Sequence, residues 1–148
     1  MTDYSGKTIG EYQLIELIDQ TGQALVYKGF QPSMNRYIAV KVLKPGVARD
    51  QIIIQQFNQF SELATRLQHP GLMPVYDSGQ DEGVFYRAMP FMQGGSLTNN
   101  LPAYRDLQQA FGLLQQIVVA LEYIHGQGFF HGNQLMYLRI FSTGTGLP

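Results

Sequence analysis

The seven residues Tyr37-Ile38-Ala39-Val40-Lys41-Val42-Leu43 constrain this chain more than any others. An apolar, β-branched run with turn-forming residues on both sides, Gln31 to Asn35 before it and Pro45-Gly46 after it, is the pattern of a strand. One lysine interrupts it. Taken alone, Lys41 reads as an edge or solvent-facing residue rather than a site, because lysine is rarely buried unless something pairs with it.

The elements around this strand follow in a readable order. Tyr12 to Ile18 and Ala24 to Tyr27 form a hairpin about Thr21-Gly22, and with residues 37–43 they make three antiparallel strands. Ile53, Phe57, Phe60, Ala64 and Leu67 recur at intervals of three and four, predicting a helix over Gln51–Leu67 that ends at His69-Pro70-Gly71. Leu72 to Asp77 and Val84 to Met89 complete a sheet of five strands, with Pro74 marking its strand as irregular or at an edge. Tyr104 to His125 is the strongest helical pattern. Its stripe of Ala110, Phe111, Leu114, Ile117, Val118, Leu121 and Ile124 is widened by Leu113, Val119 and Ala120, so it calls for burial on more than one side.

Composition excludes several classes of function. Across 148 residues the net charge is -1, which supplies no basic field for nucleic acid or an anionic membrane. There is no cysteine, so disulfides, thiolate metal sites and a thiol nucleophile are ruled out. His69, His125 and His131 lack metal-ligand spacing and read as structural residues. The first residues have no apolar signal core and no run is long enough to cross a bilayer, so the expected location is the cytoplasm.

Ile38-Ala39-Val40-Lys41 matches the strand motif of protein kinases, and so do Val26-Tyr27-Lys28, His69-Pro70, Gly94-Gly95-Ser96-Leu97 and the run from Tyr123 to His131. Over residues 10 to 140 the chain resembles that family, in particular the bacterial serine/threonine kinases. The resemblance implies an α+β fold: a small lobe with a five-stranded antiparallel sheet and one helix, then an incomplete helical large lobe. The expected division is residues 10–92 for small lobe and hinge, 93–141 for a partial large lobe and 142–148 for a loop-like tail.

The resemblance also implies site residues. Val26, Ala39, Lys41, Met89 and Met92 fall where the family encloses ATP, although Met89 and Met92 are equally explained as adaptable core residues. The family's phosphate-binding glycines are replaced by Asp19, Thr21 and Ala24, so this hairpin reads as an ordinary turn. The helix glutamate that pairs with the lysine in the family falls on Phe60. Glu62, two residues on, points about 200° away around the helix. Asn133 stands for the aspartate that acts as base, and an amide has no basic site at neutral pH. No Asp-Phe-Gly segment follows, which puts magnesium in doubt.

The expectation is therefore a truncated, pseudokinase-like protein without phosphotransferase activity. It would work through protein contacts, with a partner or a second copy on the apolar face of helix 104–125. The alternatives are a residual ATP-binding module, an ATP-dependent serine/threonine kinase completed by another chain, and a disrupted gene product.

Overall fold

The structure, a computed structural model, describes residues 2–70, 72–93 and 106–127. The described residues contain six strands and two α-helices: β1 (Thr8–Ile9), β2 (Tyr12–Gln20), β3 (Ala24–Gln31), β4 (Arg36–Leu43), α1 (Gln51–Ala64), β5 (Asp77–Asp81), β6 (Val84–Pro90) and α2 (Leu107–Gly126). Every pairing in the sheet is antiparallel, and the spatial order is β1-β2-β3-β4-β6-β5. The α+β small lobe expected from the sequence is present, with the two-residue β1 added at one edge.

The strand expected at residues 72–77 does not form, and the strand at this edge of the sheet lies further along, at Asp77–Asp81. Pro74 has no N–H to offer a ladder, and in the segment before β5 Tyr76 N donates to Ala88 O. The strand that does form, Asp-Ser-Gly-Gln-Asp, has the composition of a loop. Register with β6 makes it a strand, through a tight turn in which Glu82 and Gly83 both have positive φ, 47° and 82°, as a type I′ hairpin requires.

The chain divides into two compact units, Met1–Arg66 with Pro74–Phe91, and Leu67–Met73 with Met92–Pro148. In the first, one sheet face holds the core: Tyr4, Ile9, Tyr12, Leu14, Leu25, Tyr27, Ile38, Val40, Val42, Tyr86 and Ala88. The sheet curls around this core until its ends meet. Tyr12 Oη on β2 donates to Asp77 Oδ2 on β5 at 3.2 Å, and Gly10 N donates to Asp81 Oδ2 at 2.7 Å. Gly10 is required at this closure. Its φ is +58°, and a Cβ there would lie 2.8 Å from Tyr86 Oη.

Helix α1 begins where Asp50 Oδ1 accepts from Ile52 N and Ile53 N, and ends three residues before the expected Leu67. In the second unit α2 is capped by Asp106, which accepts from Gln108 N at 3.2 Å. Its predicted stripe divides in two. Ala120 and Ile124 are buried with Leu72, and Leu67, Ile117, Leu121 and Tyr123 pack around them. Phe111, Leu114, Val118 and Val119 remain exposed, and so does Leu107 ahead of the stripe, to 85%.

Candidate functional site

Directly opposed residues in an antiparallel sheet project from the same face, so the register alone assembles the site. One row runs across five strands: Asp19 on β2, Val26 on β3, Lys41 on β4, Arg87 on β6 and Ser78 on β5. A second row on that face places Lys28, Ala39 and Met89 side by side. Val26, Ala39, Lys41 and Met89 are thus gathered on the sheet face opposite the main core. Met92 belongs to the second unit, where it is half-buried. Asn133, with His131 and the rest of residues 128–148, lies outside the described residues, as do Gly94 to Leu97.

Lys41 is 7% exposed and Arg87, its cross-strand neighbour, is fully buried at 0%. Two cations side by side in a poorly hydrated interior oppose each other's charge. Burial, reinforced by Arg87 and opposed by Asp19, pulls the Lys41 ammonium down to a pKa of about 8.

Helix α1 presents rings to this side rather than a carboxylate. The Arg87 guanidinium lies 4.3 Å from the centre of the Phe57 ring and 4.8 Å from that of Phe60. Its Nε donates to Ser61 Oγ at 2.9 Å and its Nη2 to Phe57 O at 3.0 Å. Glu62, the one acidic residue within α1, has a side chain 68% exposed and pairs with Arg66 at 3.0 Å. Phe60 is half-buried.

The tip of the β2–β3 hairpin is bonded to itself. Thr21 N donates to Ala24 O at 2.8 Å, and Thr21 Oγ1 accepts from Gln23 N at 3.3 Å and Ala24 N at 3.1 Å. Asp19 Oδ1 accepts from Gln20 N at 2.8 Å. Four amides of the loop are therefore engaged by the loop's own oxygens, two of which belong to Asp19 and Thr21, at positions where the resemblance implies glycines. A threonine three residues before Ala24 is a side-chain-capped turn signal, readable from the sequence.

Arg87 and Ser61 are the residues that sequence reasoning missed. The signal was available: Arg87 lies two positions before Met89, hence on the same strand face. Of the histidines, His69 stacks on Tyr123 with ring centres 5.0 Å apart, and His125 is exposed at the end of α2.

The fold and this row of residues define a protein-kinase small lobe. The chain belongs to the protein kinase domain family, which it matches over residues 12–133. It is 30% identical over 129 residues to the serine/threonine-protein kinase PrkC of Bacillus subtilis, covering 85% of this chain and 20% of PrkC. Against the serine/threonine-protein kinase PknI of Mycobacterium tuberculosis the identity is 28% over 131 residues, with 86% and 22% covered. A crystal structure of the PknI kinase domain, a cysteine-to-alanine variant, superposes with a TM-score of 0.76 at 27% identity, covering 88% of this chain and 55% of that one. The chain spans about a fifth of the length of these curated relatives. No described helix is long and apolar enough to cross a membrane.

Proposed function

We propose that this kinase-family domain does not transfer phosphate and acts through contacts with other proteins. The observation that carries this reading is the closed hairpin tip. Amides that already donate to Thr21 Oγ1, Ala24 O and Asp19 Oδ1 are not available to polyphosphate oxygens. The Asp19 carboxylate adds a negative charge where phosphate would need a positive one. Phosphoryl transfer rests mostly on positioning and charge stabilisation, and both are altered around Lys41. The residues present therefore do not fit a magnesium-bound triphosphate. Asn133 in the place of the base aspartate supports the same reading from a separate part of the sequence. The exposed row Leu107, Phe111, Leu114 and Val118 on α2 supports protein contact as the mode of action.

A second reading, a residual nucleotide-binding module, is favoured by one arrangement. Ala39 and Met89 are direct partners on β4 and β6, each 7% exposed, beside Val26 and Lys41. This leaves an apolar half of a pocket, suited to a base rather than to phosphates.

Incubation with γ-labelled ATP and magnesium, alone and with a generic acceptor protein, tests the first reading. Incorporation should be no higher than for Lys41→Met. Stoichiometric transfer that vanishes in Lys41→Met would refute it.

A further inference from the structure

We propose that Arg87 is the positioning residue for helix α1, and that it fixes the helix on the sheet without requiring Lys41. The face that α1 turns to the sheet carries Phe57, Phe60, Ser61 and Ala64, spaced three, four and seven residues from Phe57. Ser61 Oγ donates to Phe57 O at 2.7 Å, one turn back. A serine bonded in this way gains nothing for the helix itself. It does turn its oxygen into an acceptor fixed in place, and Arg87 Nε donates to that oxygen at 2.9 Å while Nη2 donates to the same Phe57 carbonyl at 3.0 Å. The three groups form a closed triangle. Ser61 is 1% exposed, so the triangle is sealed from water, where bonds from a charged donor are strongest.

The rings add a second restraint. With the guanidinium against both Phe57 and Phe60, at 4.3 and 4.8 Å, rotation or sliding of α1 by one residue removes a ring contact and both hydrogen bonds together. Lysine could not substitute: it lacks both the planar fork and the flat face. Lys41, directly across from Arg87, meets on α1 no acid, since Glu62 faces solvent. The cation that holds the helix therefore sits one strand over, on β6 instead of β4. Its hold is built into the fold and needs no nucleotide to complete it.

Amide hydrogen exchange on the full chain tests this. In Arg87→Met the amides of Phe57 to Ala64 should exchange faster by roughly tenfold or more relative to sheet-core amides such as Val40. Arg87→Lys should behave like Arg87→Met. Lys41→Met should leave the ratio of helix to sheet exchange unchanged, and so should added ATP. Where Arg87→Met does not fold, Ser61→Ala removes one corner of the triangle and should speed helix exchange selectively by about threefold. The proposal is overturned if Lys41→Met loosens α1 as much as the Arg87 or Ser61 variants do. It is equally overturned if those variants speed helix and sheet exchange in parallel, or if Arg87→Lys restores protection.

Discussion

Raising the pH from 7 to 9.5 should stabilise the domain by about 2 kcal/mol, the reverse of what a lysine held by a carboxylate would give. The sign follows from Lys41. In the unfolded chain its ammonium keeps its proton up to the ordinary value of 10.5, whereas in the fold burial and then Arg87 bring it down to about 8. Between those values the unfolded state binds more protons, so stability rises with pH. Below pH 8 the destabilisation is fully present. Above pH 10 the trend turns, because Tyr12, Tyr27 and Tyr86 are all raised above 10.0, chiefly by burial, and resist ionising in the fold. Urea unfolding at half-unit steps over pH 7 to 9.5 is the measurement. The gain should vanish in Lys41→Met, and a wild-type profile that is flat or falls over this window would show that an anion neutralises Lys41.

Tyr27→Ala should destabilise the domain by about 4 kcal/mol, a large part of a small domain's stability. Tyr27 lies at the centre of the core with 0% exposure, packed edge-to-face against Tyr4 at 6.2 Å. Its hydroxyl also holds the amino-terminal segment: it accepts from Tyr4 N at 3.0 Å and donates to Asp3 Oδ1 at 3.2 Å. Tyr27→Phe separates the two roles. It keeps the ring and leaves the Tyr4 amide without its acceptor, for an expected loss of about 1–2 kcal/mol. Thermal or urea unfolding of the two variants measures the difference. Equal losses would mean that the hydroxyl, not the ring, carries the effect, and losses below 1 kcal/mol in both would place Tyr27 outside the cooperative core.

The frame of this fold is legible in the sequence because its strands are rich in β-branched residues and its helices keep a clear period. The resemblance singles out Val26, Ala39, Lys41 and Met89, and the register places all four on a single sheet face. Three features were hidden. Strand β5 has loop composition and takes its conformation from its partner, which no local pattern encodes. The apolar period runs on through Leu67, past the end of α1, where Thr65 N and Arg66 N already close the last turn on Ser61 O and Leu63 O. In the sequence Arg87 is one more residue of a strand, and its meaning depends on what lies opposite it, Lys41 in the sheet and Ser61 on the helix. A charged residue at an inward strand position is the signal that could have been used.

The replacements on this face have a common direction. Glycines that would open the hairpin tip are side chains that close it, and the helix meets the sheet through an arginine and two rings. The rest of the face, Val26, Ala39 and Met89, is apolar. On the reading proposed above, this face offers an apolar surface suited to a base and lacks the free loop amides that a polyphosphate would need.

Comparing adenosine with ATP tests that claim most directly. Each is titrated into isotope-labelled protein, ATP with and without magnesium, and the amides of Asp19 to Lys41 are followed by NMR. The triphosphate should add nothing: ATP binds no more tightly than adenosine, magnesium changes neither titration, and the Thr21 to Ala24 amides stay where they are. ATP binding at least tenfold tighter than adenosine, strengthened by magnesium and shifting the Gln23 and Ala24 amides, would contradict the account.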